Sequence, residues 1–160
     1  MGIWSEFFVK ACPPLTKYTG SEWADKYGYI PPPAPEVGPW RTSRTPYLRE
    51  ILDAAADTTT QEVVWIASSQ VGKTAGMLQV AGFYMHQSPS SIMILQPTLE
   101  MAEAFSKERL DPTIKYTKVL RDIVENTDDN GQRTKRSTST TRMKYFTGGY
   151  VALVGSNSPA

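Results

Sequence analysis

The sequence predicts an α/β fold with a partial parallel sheet and flanking helices, and three observations predict it. Residues 63–66 and 92–95 are continuous apolar runs, as expected for strands buried in a parallel sheet. A helical pattern of apolar residues lies between them, which makes a βαβ unit with the usual right-handed crossover. A glycine-containing loop joins the first strand to this helix, where many α/β proteins bind phosphate.

The remaining elements follow from local signals. Pro46 favours the first turn of a helix that leads into Tyr47. Pro97-Thr98 opens a further helix after the second strand. Residues 143–146 and 150–154 flank a Thr-Gly-Gly turn, which predicts a hairpin. The helix after the loop buries an apolar stripe made of Met77, Leu78, Ala81, Tyr84 and Met85.

Composition is that of a soluble globular chain with no dominant charge. Hydrophobic residues make up 40%, charged residues 21%, and the net charge is +1, so a DNA or membrane partner must be argued from local clusters. Cys12 is the single cysteine; it excludes an intramolecular disulfide and fits a reducing cytoplasm. His86, the single histidine, is expected to be structural or on the surface. No apolar stretch is long enough to cross a bilayer.

Residues 1–40 are predicted to form a proline- and aromatic-rich leader, ahead of a domain at residues 41–160. The prolines favour an extended path. The aromatic residues are too numerous for a purely disordered tail. Two alternatives stay open here: the leader packs onto the main domain, or it docks a partner.

The strongest chemical signal lies between the first predicted strand and the following helix. It reads Ala67-Ser68-Ser69-Gln70-Val71-Gly72-Lys73-Thr74. Backbone N–H groups of such a loop cradle phosphate oxygens, and the helix N-terminus adds its positive dipole end. Lys73 is expected to reach the β- and γ-phosphates of ATP, and Thr74 to supply a hydroxyl ligand to Mg²⁺. The predicted nucleotide-binding residues are Ser68, Ser69, Gln70, Val71, Gly72, Lys73 and Thr74.

Two features weigh against an active enzyme. The usual first glycine of this loop is replaced by Ala67, so an ordinary strand–helix turn is the alternative interpretation. Neither residues 92–95 nor residues 150–154 run into Asp or Glu, although a P-loop ATPase holds Mg²⁺ with an acid at a strand end. We therefore predict a P-loop NTPase-like fold truncated before the acidic, Mg-binding strand, with no catalytic residue in the chain.

A basic run near the C-terminus is a candidate DNA-binding surface. No acidic residue interrupts it, and cationic side chains grip the phosphate backbone independently of sequence. The alternative is a solvated loop, within a polar excursion predicted for residues 126–142. The run comprises Arg133, Lys135, Arg136, Arg142 and Lys144.

Four stretches together resemble the large terminase subunit of lambda-like bacteriophages, over roughly residues 21–160. The longest is Gln96-Pro97-Thr98-Leu99-Glu100-Met101-Ala102-Glu103-Ala104-Phe105-Ser106-Lys107-Glu108-Arg109-Leu110. The others are Trp40-Arg41-Thr42-Ser43-Arg44-Thr45-Pro46-Tyr47, the Ser68-to-Thr74 loop, and Gly148-Gly149 through Gly155-Ser156-Asn157-Ser158-Pro159-Ala160.

The resemblance implies an ATP-driven motor that pumps phage DNA into the capsid, in the cytoplasm of the bacterial host. Its implied partners are double-stranded DNA, a small terminase subunit and the capsid portal. It implies that Tyr47 packs on adenine and that Gln96-Pro97-Thr98 is a helicase-like motif facing DNA. Leu48 stands where many relatives have Gln, and Ala67 where many have a basic residue.

The family's acidic strand and nuclease domain would follow residue 160. The chain alone is therefore expected not to turn over ATP. It is also expected to self-associate through an exposed sheet edge, or to cover that edge with its leader. The alternative function is a nucleotide-independent module that binds DNA or the small subunit.

Overall fold

The computed structural model describes residues 18–125 and 140–157, which form helices packed against a small sheet. Its α-helices are α1 (Gly20–Tyr27), α2 (Leu48–Ala56), α3 (Lys73–His86), α4 (Leu99–Phe105), α5 (Asp111–Tyr116) and α6 (Lys118–Glu125). A 3₁₀ turn spans Thr42–Arg44 and a π-helical turn spans Ser106–Leu110. The strands are β1 (Tyr29–Ile30), β2 (Gly38–Pro39), β3 (Ile92–Gln96), β4 (Met143–Phe146) and β5 (Gly149–Gly155).

The main sheet has the order β3-β5-β4 and is mixed rather than parallel throughout. Strand β3 pairs parallel to β5, with Ile94 opposite Leu153. Strand β4 pairs antiparallel to β5, with Phe146 opposite Gly149. The predicted hairpin is thus confirmed, and the α/β class with flanking helices holds. The turn of the hairpin closes at Gly148, whose φ of +98° favours glycine.

One face of this sheet packs on helices and the other is open among the described residues. Ile94, Val151 and Phe146 are buried on the packed face. Met93 and Leu95, their alternate neighbours in β3, are 70% and 58% exposed. The prediction that this strand is buried in a parallel sheet is wrong for the face that carries Met93 and Leu95. An apolar run alone does not reveal which of its side chains find a partner.

The strand predicted at residues 63–66 is absent. This segment has no regular secondary structure and no strand partner among the described residues, and Val64 and Ile66 are 72% and 93% exposed. Of these four residues only Trp65 is half-buried. Its ring packs against Gly76 of α3, where an added Cβ would lie 3.0 Å from the ring. Without a neighbouring strand, the backbone N–H and C=O groups of residues 63–66 must form their hydrogen bonds with water. Apolar composition alone therefore did not make this segment a strand.

Helix α3 lies at the centre of the helical layer and carries the loop at its N-terminus. Leu78, Ala81 and Met85 of the predicted stripe are buried, whereas Met77 is 39% exposed. The hydroxyl of Tyr84 donates a hydrogen bond to the Ala55 carbonyl of α2 at 2.8 Å. These contacts fix the direction in which α3 presents its first turn.

Residues 18–40 share this core. Trp23 of α1 is fully buried, and a Cβ at Gly82 of α3 would lie 2.6 Å from its ring. Trp40 is 3% exposed, with its indole N–H donating to Thr42 Oγ1 at 3.1 Å. Of the two alternatives for the leader, packing onto the main domain describes residues 18–40; residues 1–17 lie outside the described part.

His86 ends α3 and has a structural partner. The indole N–H of Trp23 donates to His86 Nδ1 at 3.1 Å, and the Tyr27 ring packs edge-on with centroids 5.1 Å apart. Desolvation by burial lowers the pKa of His86. A neutral imidazole suits this position because Nδ1 must accept a hydrogen bond.

The unpaired edge of β3 is relevant to the predicted self-association. Within residues 18–125 and 140–157, β5 is the one strand paired with β3, so its other edge has no strand partner. Self-association through this edge stays a prediction. No helix in the described ranges is long and apolar enough to cross a membrane.

Candidate nucleotide-binding site

The loop predicted to bind phosphate turns sharply into α3. Gly72 is the N-cap residue, with φ +80°, and Gln70 also has a positive φ of 58°. A Cβ at Gly72 would meet only Leu48 Cδ1, at 3.6 Å. Glycine is therefore favoured here by backbone conformation rather than by lack of space. No side chain caps the helix, so its first N–H groups have no side-chain acceptor.

Lys73 is the first residue of α3, and its side chain folds back over the loop. Its ammonium group donates hydrogen bonds to the carbonyl oxygens of Ala67, at 3.1 Å, and Ser68. Residues 67–70 are exposed. The cation thus lies beside an open turn, held by two neutral acceptors rather than by a carboxylate.

Tyr47 reaches the same loop from the turn before α2. Its hydroxyl donates to the Val71 carbonyl at 3.2 Å, while 55% of the residue stays exposed. The ring is therefore tethered near the loop with surface left for stacking. Leu48 is fully buried and packs beneath the loop, next to Gly72.

Thr74 is exposed and stands between two depressions. One is a groove lined by Lys73, Trp65 and Met77, among others. The other is a cleft that also reaches Glu108 and Arg109 of the π-helical turn. Thr74 is thus exposed and lines the same groove as Lys73.

These features fit a phosphate and its Mg²⁺. The uncapped N-terminus of the 14-residue α3 and the Lys73 ammonium supply donors and positive charge. Residues 68–73 would hold the phosphates, and Thr74 would provide a hydroxyl oxygen to the metal. When bound, Mg²⁺ neutralises charge on the phosphate oxygens. Among the described residues no cluster of three or more His, Cys, Asp or Glu side chains could hold a metal by itself.

A second group of sequence-selected residues meets at the ends of the parallel strands. Ser156 donates from its backbone N–H to the Gln96 carbonyl at 2.8 Å and from its hydroxyl to the Pro97 carbonyl at 2.8 Å. Thr98 caps α4 by accepting a hydrogen bond from the Met101 N–H at 3.2 Å. A Cβ at Gly155 would lie 2.4 Å from the Leu99 nitrogen, so glycine permits this close approach. The loop at residues 68–74 is not part of this contact.

The basic run does not form one exposed surface. Lys144 is 7% exposed and pairs with Asp111 at 2.8 Å. This position corrects its expected role as a surface cation, because its β4 side chain lies on the packed face of the sheet. Arg142 is exposed and lies 3.8 Å from Glu103. Arg133, Lys135 and Arg136 lie outside the described residues.

Glu108 and Arg109 were not selected from the sequence. They lie within the long 96–110 stretch, yet nothing in their spacing relates them to a loop more than thirty residues earlier. Only the tertiary fold places them in one cleft with Thr74.

Comparison with known proteins gives a family match over most of the chain. Residues 34–160 match the family described as "Phage terminase large subunit gpA, ATPase domain". The large terminase subunit of Escherichia phage lambda is 33% identical over 98 residues, covering 61% of this chain and 15% of that protein. The large terminase subunit of Enterobacteria phage P21 is 30% identical over 97 residues, with the same two coverages. No solved structure is a significant match.

The chain thus spans about 15% of the length of these two relatives. The family match begins at residue 34, seven residues before the predicted start of the domain at residue 41, and that boundary stays a prediction.

Proposed function

We propose that this chain, which belongs to the phage terminase large subunit gpA ATPase-domain family, is the nucleotide-binding part of a DNA-packaging motor. The observation that carries the proposal is the loop at residues 68–74. Its left-handed Gly72 starts an uncapped helix, and the Lys73 ammonium lies over the loop. ATP with Mg²⁺ is the proposed ligand. Tyr47 is the proposed adenine contact because its ring is tethered beside the loop by the Val71 carbonyl.

Replacement of Lys73 with alanine is expected to abolish most ATP binding. The ammonium is the nearest positive side chain on the loop, and charge-assisted hydrogen bonds contribute roughly 1.5–3 kcal/mol. The measurement is the stabilisation of the full chain by Mg·ATP. For the unaltered chain it should reach about 2.7 kcal/mol at one hundred times the dissociation constant.

Lys115→Ala is the matched control, because Lys115 is an exposed helical lysine on α5, outside the loop. Its ATP-linked stabilisation should equal that of the unaltered chain. If Lys73→Ala binds ATP as tightly as the Lys115 variant does, the loop is not a phosphate site. If no variant is stabilised by ATP at all, the nucleotide-independent binding module becomes the better description.

Double-stranded DNA, the small terminase subunit and the capsid portal are the partners proposed for the whole protein. For DNA, the proposed contacts are Arg133, Lys135, Arg136 and Arg142. Lys144 is left out because its ammonium is buried against Asp111. The support is the uninterrupted positive charge of this stretch in the sequence.

Neutralising these four residues to glutamine should weaken duplex DNA binding and flatten its salt dependence. Each lost phosphate contact reduces the slope of log affinity against log salt by about 0.9. All four contacts would together account for a change of about 3 to 4. A variant with Lys115 and Lys118 neutralised, both exposed on neighbouring helices, is the control. An unchanged slope in the four-residue variant would remove the DNA contact from this stretch.

A further inference from the structure

The cleft beside Thr74 has two walls and a floor, contributed by distant parts of the chain. Strand β1 pairs antiparallel with β2, with Ile30 opposite Gly38, and residues 29–34 of this hairpin provide an apolar wall. Helix α3 provides the floor with Thr74, Ala75, Leu78 and Gln79. The π-helical turn and α5 provide a polar wall with Glu108, Arg109 and Thr113. Thr74, the proposed Mg²⁺ ligand, therefore shares a concave space with one acidic and one basic side chain.

Packing fixes these walls. The Tyr29 ring stacks on Tyr116 of α5, with centroids 5.8 Å apart and planes 12° from parallel. The Thr113 hydroxyl donates to the Arg109 carbonyl at 2.8 Å, which holds the backbone of the π-helical turn. A π-helical turn adds one residue to the helix and changes the direction in which its side chains project. The two charged side chains thus start from a fixed backbone.

Glu108 and Arg109 are both exposed, and neither forms an ion pair within residues 18–125 and 140–157. Lys107, the preceding residue of the turn, is also exposed but does not line the cleft. The cleft therefore offers one carboxylate and one guanidinium that are not engaged with each other. A ligand that carries both anionic oxygens and a hydrated cation would satisfy both groups.

We propose that this cleft is the second wall of the nucleotide site: Arg109 contributes a phosphate contact, and Glu108 directs a carboxylate toward the divalent cation. This inference rests on the proposed binding of Mg·ATP at the loop. A guanidinium donates several N–H bonds to phosphate oxygens. A carboxylate near a triphosphate is favourable only where a cation lies between them. Arg109 therefore favours binding of metal-free ATP and Glu108 opposes it, whereas both residues favour binding of Mg·ATP.

The test measures the affinity of the full chain for ATP with and without Mg²⁺, in variants Arg109→Gln and Glu108→Gln. Arg109→Gln should weaken ATP binding about tenfold or more in both conditions, since a charge-assisted hydrogen bond is lost. Glu108→Gln should strengthen metal-free ATP binding, because a like charge is removed. The same variant should reduce the gain in affinity that Mg²⁺ provides. Lys107→Gln, which alters charge on the same turn, is the matched control and should change neither value.

The outcomes separate this inference from the proposed function. If Lys73→Ala abolishes ATP binding while the Glu108 and Arg109 variants behave like Lys107→Gln, the loop binds nucleotide and the cleft wall does not. If Glu108→Gln leaves the Mg²⁺ dependence unchanged, the carboxylate has no role toward the cation. If Lys73→Ala also has no effect, the proposed function itself fails. All three positions are exposed, and thermal unfolding without ligand verifies that each variant is folded.

Discussion

Replacing Trp23 with alanine is expected to lower the free energy of unfolding by about 3–5 kcal/mol, the range for truncating a large buried aromatic side chain. Trp23 is fully buried, and its ring lies directly over Gly82 of α3 and edge-on to Phe83, with centroids 6.4 Å apart. Its loss also leaves His86 without its indole donor. Urea unfolding monitored by circular dichroism measures the change.

Trp65→Ala is the comparison variant for the loss of stability expected at Trp23. Trp65 also packs over a glycine of α3, at Gly76, but it is only half-buried and its neighbours Val64 and Ile66 face solvent. Its removal should cost less than half as much, because less apolar area leaves water on folding. Equal losses of unfolding free energy at the two positions would mean that residues 63–66 are packed far more tightly than their exposed side chains indicate. A negligible loss of unfolding free energy at Trp23 would show that α1 does not contribute to the stability of the core.

The same pair of tryptophans shows what sequence patterns predicted and what they did not. The run at 63–66 was expected to be a buried strand, and all of it except Trp65 is exposed. Trp23 was placed in a leader whose packing onto the main domain was one of two open alternatives, and it is fully buried in the core. A buried strand and an exposed extended segment can have identical composition, since burial depends on whether another strand lies alongside. For Trp23, proline-rich surroundings hid an α-helix that starts with a complete capping box at Thr19 and Glu22.

The candidate site was predictable where its parts are contiguous. The loop at 68–74 and the start of a helix near Gly72 follow from one stretch of sequence, whereas the predicted contact of Lys73 with phosphate stays a prediction. Tyr47 came only from the family resemblance, and the structure supplies its link to Val71. Glu108 and Arg109 share a cleft with Thr74 only through tertiary packing, which leaves no local signal.

Lys144 gives the second large effect, and the expected result is asymmetric between the two partners of its ion pair. Asp111→Asn should destabilise the fold by about 3 kcal/mol, because it leaves a buried ammonium without a counter-charge. The Lys144 side chain is 9% exposed and that of Asp111 42% exposed. Lys144→Met, which keeps the stem and removes the charge, should cost only about 0–1 kcal/mol, because the freed carboxylate is still in contact with water.

The double variant completes the argument. Asp111→Asn combined with Lys144→Met contains no buried charge at this position, so its stability should return close to that of Lys144→Met alone. A cycle of the four proteins by urea unfolding isolates the pair from effects of each side chain alone. Lys144→Met should also leave duplex DNA affinity and its salt slope unchanged, unlike neutralisation of Arg133, Lys135, Arg136 and Arg142. If Lys144→Met instead destabilises the fold more than Asp111→Asn, or weakens DNA binding in a folded chain, the Lys144 ammonium acts as a surface cation and not as the buried partner of Asp111.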